Sequence, residues 1–458
     1  MKLKLFYLLL VVFSISKIKA QSFAKLDSAF STLKKKNTFQ HASISFSLID
    51  IQNRKTLYEH NATEMLAPAS TLKTYTTATA LDVLGQDFTY TTRITFQGTI
   101  SKQTAVGNIN IYPSGDPSFG SDRFKETNAQ KIIQQIISSI KKLNITKFYG
   151  DIVFKPSTFE SYAINTHWLA EDIGNYYGAG YYPFNWRENK FELNIAPYDK
   201  TFVATSNTAN LNNNEFCFEI KHTEGATTEE VFAYVESKGS CHYVLKGNLN
   251  NKEKSYNLQL ARLHPDEDFK KELVQNIQKE ISFFPQKIKL SNEIEKPLIN
   301  IQSPPLSTLV YWCNQKSLNL YAEAFCKTIS QKLFKKGTWD LGTTAMKRFA
   351  SNQQINVKKV VLYDGSGLAP DNRINTQIMA SLLQSYTKEK YYTTFYESLP
   401  SINGLIMKSG YIGGTRSYAG YITLKDSTKA SFAFIVHNYS CTPKQAKIEM
   451  FKILDMLK

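Results

Sequence analysis

The stretch from Tyr90 to about Leu290 differs in texture from both ends of the chain, and that contrast limits the fold more than any other feature. Inside it, short segments such as Thr91–Phe96, Asn108–Tyr112, Phe191–Ile195, Val231–Val235 and Ser255–Leu260 are separated by Gly, Asn, Asp and Ser. Apolar residues at every second position, bounded by turn formers, read as strands. Two helical patterns, Asn128–Leu143 and Asp266–Ile281, punctuate them. On either side the helical period returns, in Ser22–Lys36 and Ser70–Leu84 before the stretch, and in Leu306–Asn314, Leu320–Leu333, Thr343–Ser351 and Thr376–Lys388 after it. Strands at Ala42–Asp50 and Thr56–His60 accompany the first set, and Leu405–Ser409, Ser417–Leu424 and Ala430–Asn438 the second. Thr442 then caps a last helix with Pro443 at its first position, where the missing N–H costs nothing. The two ends are alike in class, helix plus antiparallel sheet. They read as one α/β (α+β) domain interrupted by a mainly β middle.

The first residues read as an export signal. Lys2 and Lys4 precede an apolar run, Leu5 to Ile15, and a polar stretch ends at Ala20, after which cleavage is expected. The run is shorter than the ~18 residues of a membrane span; an uncleaved leader with peripheral membrane contact is the alternative. At 458 residues, with 42% hydrophobic and 13% aromatic side chains, the chain has material for two or three packed domains. The formal charge of +16 suits a polyanionic partner or simply a solvated Lys-rich surface. Nothing in it resembles a nucleic-acid-binding motif, so no nucleic acid is expected as a partner. Five cysteines, Cys217, Cys241, Cys313, Cys326 and Cys441, are too scattered for a disulfide scaffold. Cys217 and Cys241, in neighbouring strand-like segments, could pair in an oxidising compartment. None has metal-site spacing and the seven histidines form no paired motif, so neither metal nor cofactor is expected.

The chemistry concentrates in three short motifs. A serine needs a base to take its proton, and a lysine three residues on along a helix stands beside it. Ser70-Thr71-Leu72-Lys73 has that form at a helix start, where the dipole favours a developing anion. The same spacing at Ser14, Ser31, Ser138 and Ser139 reads as chance. Ser317-Leu318-Asn319, just before a helix, offers a second hydroxyl and an amide. Lys408-Ser409-Gly410, at the end of a strand, offers a cation and a hydroxyl for a carboxylate, with a glycine that admits close backbone approach. That order is the layout of the active-serine, penicillin-recognising enzymes.

The gap between Lys73 and Ser317 is far longer than in compact β-lactamases. Several phrases narrow the resemblance: Leu66-Ala67-Pro68-Ala69, Ser114-Gly115-Asp116-Pro117-Ser118, Gly150-Asp151-Ile152, Tyr177-Gly178-Ala179-Gly180, Asn319-Leu320-Tyr321-Ala322-Glu323, Asp364-Gly365-Ser366-Gly367-Leu368 and Gly413-Gly414-Thr415-Arg416. Together, from about residue 45 to 440, they resemble the class C low-molecular-mass penicillin-binding proteins, the D-alanyl-D-alanine carboxypeptidase/endopeptidase group. The resemblance implies a signal peptide at 1–20 and a penicillin-binding-protein/β-lactamase-like transpeptidase domain at 21–88 and 295–458. It further implies an inserted domain at 89–160 and 246–294, with a second nested at 161–245. It implies hydrolysis of D-alanyl bonds in peptidoglycan stem peptides through an acyl-serine, covalent capture of β-lactam antibiotics, and a periplasmic location.

Carried over residue by residue, the resemblance makes Ser70 the nucleophile and Lys73 its base, kept partly neutral by burial and by Lys408. Ser317 passes the proton to the leaving D-alanine, and Asn319 holds the acyl-side amide. Lys408, Ser409 and Gly410 take the substrate carboxylate end, and the Ser70 and Tyr411 N–H groups form the oxyanion hole. Leu318 stands where the family has Asp, and Ser409 and Tyr411 where it has Thr, which alters the cleft rim more than the chemistry. Arg373 and Arg416 are further candidates for a substrate carboxylate, with surface ion pairs as the alternative. Ser366 reads as part of a tight turn, His437 as a structural histidine, and the aromatics from Tyr176 to Trp186 as packing rather than a sugar platform. Two rival readings remain, a non-catalytic peptidoglycan-binding descendant and, with less support, a β-lactamase.

Overall fold

The computed structural model describes residues 23–199, 201–222, 230–238, 241–249, 253–288 and 294–458. The expected signal peptide at 1–20 lies outside them. Helix α1 (23–35) leads into strands β1 (Ser43–Asp50) and β2 (Thr56–His60). A single 3-10 turn, Ala69–Thr71, runs into helix α2 (Leu72–Leu84). Then come β3 (Thr91–Ser101), β4 (Thr104–Tyr112), α3 (Ala129–Lys141), β5 (Lys147–Phe154) and the short α4 (Ala170–Ile173). Strands β6 (Lys190–Tyr198), β7 (Thr201–Asn207), β8 (Phe216–His222), β9 (Glu230–Lys238), β10 (Cys241–Leu249) and β11 (Tyr256–Ala261) follow. Helix α5 (Pro265–Gln278) and strands β12 (Ser282–Pro285) and β13 (Glu295–Gln302) end this stretch. Helices α6 (Leu306–Lys316), α7 (Asn319–Phe334), α8 (Trp339–Asn352), α9 (Thr376–Tyr386) and α10 (Tyr392–Ser398) come next. Strands β14 (Ser401–Ile402), β15 (Leu405–Ile412), β16 (Thr415–Thr423), β17 (Lys429–His437) and helix α11 (Pro443–Leu457) complete the chain.

The chain divides into two compact units. The first takes residues through Asp82, Met346–Leu362 and Pro370–Lys458. Its sheet is antiparallel, in the order β14-β15-β16-β17-β1-β2, so strands from both ends of the sequence form one layer. On one face, Ile44, Phe46, Leu48, Phe432, Phe434 and Val436 pack with α1 and α11. The α11 stripe of Ala446, Met450, Ile453, Leu454 and Leu457 is buried there, and Thr442 with Gln445 makes the capping box that stops the helix fraying. The other face of β1 is not solvated, although its sequence alternates with serine. Ser45 Oγ meets Thr376 Oγ1 of α9 at 2.8 Å, and Ser431 Oγ of β17 donates to Ala380 O at 2.8 Å. Small hydroxyl side chains let a helix lie close to the sheet, and these two find partners there, as most buried polar groups do.

Helix α2 follows the same logic further, for every residue from Leu72 to Leu81 is buried. Its threonines return their hydroxyls to the helix backbone: Thr77 to Lys73 O at 2.6 Å and Thr79 to Tyr75 O at 2.9 Å.

The second unit takes Val83–Ala345 and Tyr363–Ala369. A five-stranded mixed sheet, β12-β5-β4-β3-β13, is covered on one face by the isoleucines of α3 and by Phe269, Leu273 and Ile277 of α5. Two three-stranded sheets, β11-β6-β7 and β8-β10-β9, share a smaller core around Leu193, Ile195, Phe202, Tyr243 and Leu245. A disulfide joins Cys217 on β8 to Cys241 on β10, with 5.8 Å between their Cα atoms. Cys313, Cys326 and Cys441 are outside any disulfide among the described residues. Among the described residues no helix is long and apolar enough to cross a membrane, and no cluster of metal-ligating side chains occurs.

Candidate active site

In the first unit, the backbone bends sharply before it delivers the serine. Ala69 is fully buried at φ 49°, a left-handed conformation that costs a residue with a β-carbon about 1–3 kcal/mol. Ser70 sits in the 3-10 turn that runs straight into α2, at the start of the helical stretch expected from Ser70 to Leu84. Lys73, the second residue of α2, still reaches it, and Nζ donates to Ser70 Oγ at 2.9 Å. The lysine side chain is wholly buried and Ser70 partly so.

The Lys408 motif lies within β15, not at its end. Lys408 is buried and donates from Nζ to Ser409 O at 2.8 Å. Gly410 pairs with Ser417 of β16 and presses against the serine turn. A β-carbon on Gly410 would stand 2.3 Å from Ser417 Oγ, 2.8 Å from the Ser70 amide nitrogen and 2.9 Å from Pro68 O. The structure thus brings Ser70, Lys73 and Gly410 together and sets Tyr411 as the next residue along the strand. Ser417 fastens this junction, donating to Pro68 O at 2.6 Å and accepting from Thr71 Oγ1 at 3.2 Å. Sequence reasoning missed Ser417, because a serine inside a β-strand carries no signal until its cross-strand partner is known.

Tyr411 is 47% exposed. The Arg416 guanidinium lies 5.8 Å from its ring and 5.5 Å from that of Tyr418, to whose hydroxyl Nε donates at 3.1 Å. Arg373 turns back on its own loop, donating from Nη1 to Pro370 O at 2.5 Å and Asn372 O at 2.9 Å. His437 bonds Thr415 Oγ1 at 2.6 Å, and burial followed by the nearby Arg373 charge keeps its pKa below the usual histidine value.

The second unit holds the other motif. Ser317 closes α6 in the left-handed conformation, φ 56° and ψ 41°, a place where helices ordinarily use Gly or Asn. Two residues later Asn319 opens α7, and its Nδ2 donates to Tyr177 O at 2.7 Å. One helical turn on, the buried Glu323 accepts the Gly365 and Ser366 N–H groups at 3.0 and 2.8 Å and the Trp339 indole N–H at 2.7 Å. Burial, then the charge of Asp364, hold the Glu323 carboxyl above its usual range. Asp364 accepts from Gly367 N, Ala369 N and the Trp168 indole. A β-carbon on Gly365 would stand 2.5 Å from Ala322 O, so the loop lies directly on α7. Ser366, fully buried there, is a loop residue, as its sequence suggested. Tyr181, Phe184 and Trp186 are core, whereas Tyr176 is largely exposed.

Comparison with known proteins gives the family and the fold. The D-alanyl-D-alanine carboxypeptidase DacB of Haemophilus influenzae is 23% identical over 438 residues, 89% of this chain and 88% of that protein. The D-alanyl-D-alanine carboxypeptidase of Actinomadura sp. (strain R39) is 20% identical over 389 residues, 80% of this chain and 68% of its own. Penicillin binding protein 4 (dacB) from H. influenzae has the same fold, with a TM-score of 0.77 at 21% identity over 94% of this chain and 98% of that one. Its complex with a β-lactam gives 0.73 at 20% identity, with the same coverage. The D-Ala-D-Ala carboxypeptidase 3 (S13) family profile matches residues 26–457, and the chain belongs to that family of serine-type D-Ala-D-Ala carboxypeptidases.

Proposed function

We propose that Ser70 is the nucleophile with which this carboxypeptidase opens the terminal D-alanyl bond of peptidoglycan stem peptides. The observation that carries the assignment is the 2.9 Å contact between Lys73 Nζ and Ser70 Oγ. With the amine neutral the same contact runs in reverse, the hydroxyl donating, and Lys73 takes the proton as Oγ attacks the penultimate D-alanyl carbonyl. The oxyanion then accepts from the Ser70 and Tyr411 N–H groups; elsewhere one such donor contributes about 2.7–4 kcal/mol. The close approach of Gly410 to the Ser70 nitrogen supports that pairing. Ser317 hands a proton to the departing D-alanine, Asn319 holds the acyl-side amide, and Lys408 with Ser409 receives the terminal carboxylate. Water releases the acyl group. The same acylation opens a β-lactam ring, and cross-link endopeptidase action uses the same carbonyl. We place the enzyme in the periplasm after cleavage near Ala20.

Intact mass after incubation with benzylpenicillin tests the assignment. The protein is expected to gain one penicilloyl group and Ser70→Ala none. A folded protein that gains nothing, or a mutant that still gains the adduct, would remove Ser70 from its role.

A further inference from the structure

The second unit holds a polar cleft that contains none of the motif residues. Helix α5 forms one wall, presenting Asp268, Lys271, Glu272 and Gln275 at the three- and four-residue spacing that aligns side chains on one face. Arg187, before β6, and Arg262, after β11, stand opposite, with the turn that follows β7. The space enclosed is about 260 Å³, just under the ~300 Å³ at which small-ligand sites begin. That is room for the end of a peptide, not for a disaccharide.

The charges do not balance. Arg187 is matched by Glu272, Nη2 to Oε1 at 2.7 Å and Nε to Oε2 at 3.3 Å. Arg262 gives Nη1 to Asp268. Its side chain is only 5% exposed, and its Nε, without a hydrogen-bond partner among the described residues, is sealed from the cleft. Lys271 has no ion pair among them either. Three cations therefore face two carboxylates, and ionised donors form the strong hydrogen bonds that hold a carboxylate. One surplus positive charge calls for a monoanion. A phosphate dianion would overfill it and stand against Asp268 and Glu272. The side-chain amides of Gln275 and Asn210 on the cleft lining can both donate and accept, which suits peptide groups.

We propose that this cleft binds the free C-terminal carboxylate of a short peptide. On the function given above, which this inference rests on for the ligand's identity, that peptide is a peptidoglycan stem other than the one being cut. The cleft would hold that stem by its free end.

The test uses the Ser70→Ala protein titrated calorimetrically with N-acetyl-D-alanyl-D-alanine, and in parallel with inorganic phosphate. Saturable peptide binding is expected, weakened about tenfold by adding Lys271→Glu. Lys271 is exposed, so its substitution keeps the fold whether or not Arg262→Gln does. Peptide affinity unchanged by Lys271→Glu would overturn the site, and phosphate binding as tight as the peptide would overturn the ligand class. Penicillin labelling of Ser70 in the single Lys271→Glu variant is expected to stay at the unmodified level. It reads the catalytic assignment independently, so either idea can fail alone.

Discussion

Two residues show how narrowly the first unit is fitted. At Gly410 an added methyl group has nowhere to go, because Ser417, its cross-strand partner, is already tied to Pro68 O and Thr71. Gly410→Ala is expected to cost about 1–3 kcal/mol of stability through overpacking. Acylation by benzylpenicillin should slow by about a hundredfold, the effect of shifting reacting groups by an ångström; stopped-flow rates on folded mutant protein would measure it. Asp116 is a different case, a carboxyl buried in the second unit and accepting Ser118 N at 2.8 Å and Ser118 Oγ at 2.6 Å. Burial pushes its pKa from 3.8 up to about 6 against those bonds. The unfolded chain thus loses this proton first as pH rises. The favourable contribution is complete below about pH 4 and is lost by pH 6, a swing of about 3 kcal/mol. Asp116→Asn should therefore be more stable than the unmodified protein at pH 7 and converge with it near pH 4 in urea titrations. Equal stability at pH 7 would show that the carboxyl is better solvated than its burial indicates.

Elements with strong periodicity were legible in the sequence, and those whose reason lies in a partner were not. The β2 strand and the Thr442 cap of α11 are where the pattern predicts. The Ser-Ile-Ser-Phe-Ser-Leu alternation of β1 is a strand as read, but its serine face meets α9 and not water, which period two alone does not distinguish. Strands β7, β12 and β13 carry little signal. β12 has four residues, and β13 contains Pro297 at a register shift on a sheet edge, where a missing N–H is tolerated. All the motif residues were visible as letters, whereas the junction that Ser417 fastens and the loop that Glu323 holds depend on tertiary neighbours. The Cys217–Cys241 bond ties two parallel neighbours, β8 and β10, across a sequence separation of 24. Closing a loop of that length removes about 3 kcal/mol of unfolded-chain freedom. Replacing both cysteines with serine should raise hydrogen exchange in β8 and β10 well above that in β3 to β5. Uniform exchange across both sets would assign the local stability to the Leu193–Tyr243 core instead.

At the scale of the molecule, the contrast in texture between the ends and the middle corresponds to two kinds of sheet. The strands of the second unit find partners within a continuous stretch from Thr91 to Gln302. Strand β1 must wait for β17, with Ser43 facing His437 almost four hundred residues later, and distant pairings of this kind form slowly. Ser70 and Lys73 emerge early, but the strands that carry Gly410 and Ser417 are among the last to be made. Until then the turn that carries Ser70 lacks the glycine that packs on it and the serine that fastens it. A chain still on the ribosome, or one cut short before β15, holds Ser70 in an unfastened turn, and on the role proposed for it completion of the polypeptide is the event that arms it.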